Sequence, residues 1–320
     1  MKATPRYSVI VPVYNRPEEL RELLDSLTRQ TVRDFEVIIV EDGSSVTSEP
    51  VVDAFRDQLK IEYIVKPNTG PGPSRNMGFS RARGEYFVVF DSDCILPSHY
   101  FEAVDTYRQV EHFDAWGGPD RGHKSFTPLQ QAMAYTMASA LTTGGIRGGG
   151  KRLDWFQPRS FNMGLSREVY EKTHGFVFSR MAEDIELSIR MKKAGFRSVL
   201  IPEAYVFHKR RTNLKQFYRQ VFNFGRGRVQ VGRAHSGAIK LTHWLPAFFA
   251  LGIVALPVVA LFSKALFTLG FSILIIYLIA LLADAYRVTQ NVSVSLLSIP
   301  AALTQLIGYG SGFLKEWFSP

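Results

Sequence analysis

The chain has 320 residues, 46% of them hydrophobic, and a formal net charge of +9. Its single cysteine, Cys94, excludes an intrachain disulfide and a cysteine-rich zinc site. Residues 209–240 contain nine Lys or Arg and no Asp or Glu, so this segment alone equals the charge excess. The remaining sequence is balanced, which argues against a nucleic-acid partner. We expect no secretory signal, because the apolar run in residues 1–20 is short and interrupted by Pro12.

The first 120 residues alternate between strand-like and helical patterns. The strand-like runs are "YSVIVPVY", "FEVIIVEDGSS", "KIEYIVK" and "EYFVVF", and the helical ones are "PEELRELLDSLTRQ", "EPVVDAFRDQ" and "PSRNMGFSRAR". This alternation predicts an α/β fold with a mostly parallel sheet that helices cover on both faces. Ligands bind such sheets at the carboxyl ends of the strands. Three of these ends carry the polar groups Tyr14-Asn15, Asp42-Gly43 and Asp91-Ser92-Asp93.

The next part of the chain is less regular. Trp116 follows a short strand-like segment, "TPLQQAMAYTMASAL" has a helical pattern, and glycine-rich residues 144–150 predict a loop. "RMAEDIELSIRMKKAGF" predicts a helix that ends at Gly195. "RSVLIPEAYVFH" predicts one further strand, which ends at His208.

Two carboxylates one residue apart follow the most apolar strand. Residues i and i+2 point to the same side of a strand, so Asp91 and Asp93 together offer hard oxygen ligands. Mg²⁺ or Mn²⁺ is commonly held by such carboxylates together with substrate phosphates. The alternative is that Asp93 or Ser98 only caps the next helix. Glu183-Asp184, at the start of a predicted helix, is a second candidate pair of functional carboxylates. The alternative is that these acidic residues only complement the helix dipole in the first turn.

Six segments in this order resemble glycosyltransferase family 2. They are "SVIVPVYNRPEEL", "EVIIVEDGSS", "NTGPGPSRNMGFSRARGEYFVVFDSDCILP", "FNMGLSREVYE", "AEDIELSIRMKKAGFR" and "VFH". The resemblance covers about residues 7–230. It implies the GT-A fold, a single α/β domain around a nucleotide-sugar site.

The resemblance also implies roles on the donor side. Pro12, Tyr14 and Asn15 would form a loop around the nucleotide base and ribose. Asp42 would hydrogen-bond the base, and Arg75 would lie along the nucleotide. Ser92 belongs to the same set, and the donor would be a UDP-, GDP- or dTDP-linked sugar.

The resemblance assigns the metal and the acceptor side as well. Asp93 would bind Mn²⁺ or Mg²⁺, Asp91 would face the metal or the ribose, and His208 matches a third metal ligand. Asp184 matches the general base of an inverting transfer, with neighbouring Glu183 as the alternative base and a residue of the acceptor side. Trp116 and Asn162 are further candidates for the acceptor side, and a core position beside a turn is the alternative for Trp116.

The C-terminal region contains three uncharged stretches. Residues 244–262 and 265–283 are long enough to cross a bilayer as helices, and residues 288–314 contain Pro300 and Gln305 and leave spanning or interfacial placement open. The sequence therefore predicts a catalytic domain over 1–208, a basic interfacial segment over 209–240, and two to three transmembrane helices within 241–320. The basic segment precedes the first span, which predicts a multi-pass inner-membrane protein with a cytoplasmic catalytic domain.

The sequence as a whole predicts a hexosyltransferase that moves one sugar, with inversion, onto a lipid-linked saccharide during surface polysaccharide synthesis. Its partners would be the nucleotide sugar, this acceptor and membrane lipids, with no nucleic acid; the oligomeric state stays open. A polyprenyl-phosphate glycosyltransferase is the first alternative. A membrane-bound binding protein without catalysis is the second. Gln216 and Arg219 fit a Gln-x-x-Arg-Trp motif, but Gln220 replaces its tryptophan, which argues against processive synthesis.

Overall fold

The computed structural model describes residues 4–121, 126–143, 155–208 and 211–319. It divides into a first unit, Met1–His123 with Lys151–His208, and a second unit, Lys124–Gly150 with Lys209–Pro320. The glycine-rich loop predicted over residues 144–150 lies outside the described residues. The domain boundary at residue 208 stays a prediction.

The first unit contains two sheets. The larger has seven strands in the order β3-β2-β1-β4-β8-β6-β9, and the smaller has the order β5-β10-β7. The strands are β1 (Tyr7–Val13), β2 (Phe35–Asp42), β3 (Ile61–Lys66), β4 (Tyr86–Phe90), β5 (Cys94–Ile95), β6 (Ala115–Gly117), β7 (Asp120–Arg121), β8 (Asn162–Ser166), β9 (Ser198–Leu200) and β10 (Val206–His208). Strands β1 to β4 pair in parallel, and β8 runs antiparallel to β4 and β6.

Helices pack on both faces of the larger sheet. They are α1 (Pro17–Thr28), α2 (Glu49–Asp53), α3 (Pro71–Arg81), α4 (Tyr100–Val110), α7 (Arg167–Thr173) and α8 (Glu183–Lys193). Alternate residues of β1 enter different cores: Val9 and Val11 pack with α1, α2 and α4, whereas Ile10 packs with α3, α7 and α8. Side chains of a strand alternate between its two faces, and a strand buried on both faces reads as one apolar run. The predicted α/β fold is therefore confirmed.

The last predicted strand of this unit was wrong as a single element. "RSVLIPEAYVFH" forms two strands, β9 in the larger sheet and β10 in the smaller one. Pro202 has no backbone N–H for a sheet ladder, and the Ala204 N–H donates to the Ile201 carbonyl at 3.1 Å to close a turn. The chain therefore leaves one sheet here and enters the other.

The second unit is helical. Its helices are α5 (Pro128–Ala138), α6 (Ala140–Thr143), α9 (Leu214–Ala234), α10 (Leu245–Phe262), α11 (Lys264–Thr289) and α12 (Val292–Trp317). Three apolar helical segments, Leu241–Phe262, Lys264–Thr289 and Val292–Trp317, are long enough to cross a membrane, with mean hydropathies of 2.5, 2.6 and 1.5. These segments indicate membrane association.

We expect a methyl group at Gly164 to destabilise the first unit. A Cβ there would lie 2.1 Å from the buried Trp116 ring, which lies among packed aromatic neighbours. Overpacking of this kind costs about 1–3 kcal/mol, so Gly164→Ala should unfold at a lower temperature in detergent. Gly252→Ala is the control, because its Cβ would meet no neighbour within 4 Å. Equal melting temperatures for both variants would contradict the packing described here.

Candidate active site

The carboxyl ends of β1 and β4 meet at one edge of the larger sheet. These strands pair in parallel with Ile10 opposite Val89, so the residues after them emerge on the same side. Tyr14 follows β1 and is half exposed, whereas Asp91 follows β4 with a side chain 33% exposed. Ser92 and Asp93 are buried beside it. The predicted convergence of polar groups is therefore present in the structure.

Arg75 lies at the centre of this edge and is 2% exposed. Its Nη2 donates to Asp91 Oδ1 and its Nη1 to Glu183 Oε1, both at 2.7 Å. The guanidinium also faces the Phe176 ring at 5.3 Å from its centroid. Arg75, predicted to lie along the nucleotide, thus joins two carboxylates from distant parts of the chain.

The segment before α8 is held against the start of α3. Asn76 donates to the Phe176 carbonyl at 2.7 Å and accepts from the Phe176 N–H at 2.8 Å. The Gly72 N–H donates to the Ser179 carbonyl at 3.0 Å, and a Cβ at Gly72 would lie 2.2 Å from the Phe178 carbonyl oxygen. Only glycine permits this approach, which brings Glu183 to Arg75.

Helix α8 begins at the acidic pair Glu183-Asp184. Ala182, directly before it, has a left-handed φ of 56°. Such backbone conformations are uncommon outside glycine and cluster at functional sites. Glu183 also accepts from Ser160 Oγ at 3.2 Å. Burial raises the pKa of Glu183 above its usual range, although Arg75 opposes this effect.

Asp184 has a different environment from Glu183. Its Oδ2 lies 3.7 Å from Arg159 Nη1, and its side chain is 15% exposed. Its Oδ1 accepts from the Ile185 N–H at 2.8 Å. The two neighbouring carboxylates therefore differ in their contacts: Arg75 and Ser160 contact Glu183, whereas Arg159 and the Ile185 N–H lie beside Asp184.

Asp93 and His208 are brought together by the smaller sheet. His208 pairs with Cys94 in the antiparallel ladder between β10 and β5. His208 Nε2 lies 3.1 Å from Asp93 Oδ1, and the two side chains are 11% and 7% exposed. Adjacent ligands of an octahedral ion with bonds of about 2.1 Å are about 3 Å apart. His208 Nδ1 is buried without a hydrogen-bond partner among the described residues.

Cys94 and Arg16 also lie next to the Asp93–His208 pair. Cys94 Sγ lies within 4.8 Å of the same atoms, but burial raises the thiol pKa well above its usual value. A neutral thiol is a poor metal ligand. Arg16 forms an ion pair with Asp93 Oδ2. The His208 imidazole and the Asp93 carboxylate therefore fit a hard or borderline divalent cation. The partly exposed Asp91 side chain precedes Asp93 by two residues.

The loop after β1, predicted to surround the nucleotide base and ribose, is hydrogen-bonded to the loop after β2. Asn15, at φ 54°, accepts at its Oδ1 from the Ser45 and Val46 N–H groups at 2.8 and 3.1 Å. Pro12 is a correction: it pairs with Val40 inside β1, so the loop begins at Tyr14.

Asp42, predicted to hydrogen-bond the base, holds the following turn with its carboxylate. It forms an ion pair with Lys66 and accepts from the Thr69 and Gly70 N–H groups, both at 2.9 Å. Asp42 is 4% exposed, so a base would reach it only after these contacts change.

Trp116 and Asn162, both predicted for the acceptor side, lie in the core, which for Trp116 is the alternative expected from the sequence. Both are fully buried. Trp116 Nε1 donates to the Tyr100 hydroxyl at 3.4 Å, which donates to Asn162 Oδ1 at 2.6 Å. Asn162 Nδ2 then donates to the Ala204 carbonyl at 2.9 Å. This buried chain of hydrogen bonds holds the turn that leads to His208.

Sequence reasoning missed Arg16, Arg159 and Ser160. Arg16 directly follows the polar end of β1, so its position at the sheet edge was a usable signal. Arg159 and Ser160 lie beside Asp184 and Glu183 through the tertiary fold, and the sequence carries no sign of that proximity.

Comparisons with known proteins agree with this architecture. The family model described as "Glycosyl transferase family 2" matches residues 8–182. Glycosyltransferase GlyG of Streptococcus pneumoniae is 37% identical over 110 residues, 34% of this chain and 36% of GlyG. The probable glycosyltransferase YdaM of Bacillus subtilis is 25% identical over 250 residues, 72% of this chain and 57% of YdaM. The matches therefore span between about a third and somewhat over half of these relatives.

Two solved structures share the fold. A mannosyltransferase from Pyrobaculum calidifontis, in complex with GDP-Man and Mn²⁺, has a TM-score of 0.68 at 18% identity, covering 95% of this chain and 88% of that one. TarS of S. aureus in complex with UDP-GlcNAc has a TM-score of 0.52 at 17% identity, covering 97% and 91%. At these identities the likeness shows the fold alone, which is the predicted GT-A fold.

We expect Arg75→Met to destabilise the first unit strongly. The substitution leaves the Asp91 and Glu183 carboxylates beside an apolar side chain, and breaking a buried ion pair in this way costs about 3–5 kcal/mol. Adding Glu183→Gln removes one of these charges and should recover part of the melting temperature in detergent.

Arg81→Met is the matched control for this prediction. Arg81 and Glu62 form an exposed pair at 3.9 Å, and such pairs contribute about 0–1 kcal/mol. A melting temperature of Arg75→Met close to that of Arg81→Met would show that the buried bridge is not needed for stability.

Proposed function

Because the chain belongs to glycosyltransferase family 2, we propose that it transfers a single sugar from a nucleotide-sugar donor to a lipid-linked saccharide acceptor. The reaction inverts the configuration of the anomeric carbon in one displacement. The proposal rests chiefly on one observation: Asp184, ion-paired with Arg159, directly follows Glu183, which Arg75 joins to Asp91 after β4 of the GT-A sheet.

Asp184 acts as the general base in this proposal. Its carboxylate takes the proton of the acceptor hydroxyl while that oxygen forms a bond to the anomeric carbon. The bond between the anomeric carbon and the diphosphate breaks on the opposite side, and the nucleoside diphosphate leaves with the bonding electrons. Arg159, 3.7 Å away, orients the carboxylate for this transfer.

Glu183 and Arg75 position the reacting groups without touching them. Arg75 fixes the direction of the Asp91 carboxylate, and its bond to Glu183 fixes the first turn of α8. Since Asp184 follows Glu183 directly, the base cannot shift without breaking this bridge. Placement of a base to within a fraction of an ångström supplies much of its catalytic advantage.

Asp93 and His208 would hold a divalent ion, Mn²⁺ or Mg²⁺. When bound, the ion neutralises charge on the leaving diphosphate. An imidazole ligand favours Mn²⁺ over Mg²⁺, because Mg²⁺ prefers oxygen ligands. Asp91, open to the same edge, would contact the ribose or the ion, and Tyr14 would face the base.

The proposed acceptor follows from the apolar helices of the second unit. An enzyme with two long apolar helices works at a membrane, where polyprenyl-linked saccharides reside. The basic run over residues 209–240 precedes the first of these helices and supports a cytoplasmic active site, the compartment that supplies nucleotide sugars.

We expect Asp184→Asn to lower sugar transfer by about 10²–10⁴-fold, the usual contribution of a positioned base. The amide cannot accept the proton, but the nucleotide contacts remain. The assay incubates purified protein in detergent with a panel of nucleotide sugars, Mn²⁺ and a bacterial lipid extract. It follows release of the nucleoside diphosphate and donor-induced thermal shift.

Asp25→Asn, an exposed position on α1, is the control and should keep full activity. Transfer that survives in Asp184→Asn would instead favour a polyprenyl-phosphate acceptor, which is already an anion and needs no strong base. If no donor causes either nucleoside diphosphate release or a thermal shift, the result would favour the non-catalytic alternative.

We expect Asp93→Ala and His208→Ala each to weaken Mn²⁺-dependent nucleotide binding by at least about tenfold, because each removes a proposed ligand. Isothermal titration of the nucleotide, with and without chelator, measures this effect. His112→Ala is the control, since the His112 side chain is 84% exposed on the protein surface. Nucleotide binding that ignores both substitutions and the chelator would remove the metal from the proposal.

A further inference from the structure

Helix α12 differs from the other two long apolar helices. Within their most apolar windows, 39% of α12 is buried inside the protein, against 11% for the α10 segment and 6% for α11. Buried positions of α12 include Gln305 and Glu316. A helix surrounded by lipid would expose apolar side chains on most sides, as α10 and α11 do.

Helices α10 and α11 are joined by Ser263 alone. They contain 18 and 26 residues, about 27 and 39 Å at 1.5 Å per residue, which matches a bilayer core of about 30 Å. A hairpin of two spanning helices places the start of the first and the end of the second at the same face of the membrane. Trp244 and Thr289 therefore mark one face.

Both ends of α12 are attached to this face of the hairpin. Its N-terminus follows α11 after Gln290 and Asn291, and Ala302 packs with Leu281 and Ala285 in the last turns of α11. At its other end, the Trp317 ring lies 4.7 Å from the Trp244 ring, at an interplanar angle of 69°. A helix that crossed the bilayer could not have its last residues in contact with the start of α10.

Further contacts place the C-terminal half of α12 against the first turns of α10. A Cβ at Gly310 would lie 2.2 Å from the Pro246 carbonyl oxygen. Farther from this end of the hairpin, large apolar side chains are exposed: Val254 and Leu261 are 70% and 82% exposed, and Ile276 is 65% exposed. The contacts of α12 thus lie at the base of the hairpin.

Helix α12 also runs beside the basic helix α9 in the same direction. A Cβ at Gly312 would lie 2.0 Å from the Phe222 carbonyl oxygen, so the two backbones approach closely. One turn farther on, Glu316 accepts from Arg226 Nε at 2.7 Å and Gln230 Nε2 at 2.9 Å. Helix α9 has too many charges to lie in the bilayer core, and its partner shares its depth.

We propose that α12 lies in the membrane surface beside α9, so that of the three apolar helices described here α10 and α11 cross the membrane and α12 stays on the side of α9. This inference rests on the membrane anchoring in the proposed function and decides a question that hydropathy leaves open. The partner of the α9–α12 surface is the headgroup layer of an anionic lipid leaflet.

The exposed side chains of this surface fit that partner. Lys215, Arg219, Lys240 and Lys315 are exposed cations on or beside the two helices. Phe318, at the end of α12, is 79% exposed. Basic side chains attract anionic headgroups, and aromatic ones favour the boundary between headgroups and hydrocarbon.

Cysteine labelling with a membrane-impermeant maleimide tests the proposal. Single cysteines are introduced into the full chain at three positions: Ser236→Cys in the α9–α10 connection, Lys264→Cys at the tip of the hairpin, and Phe318→Cys at the end of α12. Buried Cys94 makes the unaltered chain the unlabelled control. Labelling is compared between inside-out and right-side-out vesicles.

We expect Phe318→Cys and Ser236→Cys to react in the same vesicles, and Lys264→Cys to react only in the opposite ones. Reaction of Phe318→Cys together with Lys264→Cys would overturn the proposal, because α12 would then span. Reaction of all three from one side would mean that the hairpin does not cross. That result overturns the membrane anchoring itself and is distinct from the failure of the α12 placement.

Cross-linking gives an answer independent of vesicle orientation. In the double variant Trp244→Cys/Trp317→Cys, a short bismaleimide should join the two positions, and mass spectrometry identifies the joined peptides. Across a bilayer these positions would be about 30 Å apart and would not react with one reagent molecule. Absence of the cross-link, with both cysteines individually reactive, would overturn the proposal.

Discussion

A guanidinium removed from water is stable only where carboxylates surround it, and Arg75 is placed between Asp91 and Glu183. This bridge joins α3, the end of β4 and the start of α8, which come from three separate parts of the chain. The direction of Asp91 and the position of Asp184 both depend on it. Arg75, a residue expected from the sequence to lie along a nucleotide, therefore links the end of β4 to the start of α8.

The fold and the outline of the site were predictable because their signals are local. Apolar runs that alternate with helical patterns specify a parallel sheet, and a parallel sheet brings its strand ends to one edge. Asp91, Asp93 and Asp184 follow from these rules and from the family resemblance. His208 was predicted as a metal ligand together with Asp93, and the structure places the two side chains next to each other through a smaller sheet that was not foreseen.

Several side-chain contacts could not be predicted, because the sequence does not show which partner satisfies a polar group. Asp42 and Asn162 have the residue types of ligand contacts, yet their polar atoms are used inside the protein, for a turn and for a buried chain of hydrogen bonds. A buried polar group must find a partner, and only the tertiary fold reveals which one. Arg159 escaped notice for the same reason, since its neighbour Asp184 is distant in the chain.

Hydropathy has a similar limit in the second unit. It measures the cost of placing residues in lipid, and it cannot distinguish lipid from the apolar surface of another helix. Glycines in α12 expose its backbone to close neighbours, and Gly312 lies against the backbone of α9. A helix with small residues on one face and a carboxylate bound to Arg226 is built to pack on protein. Packing partners, more than mean hydropathy, therefore decide which apolar helix spans the membrane.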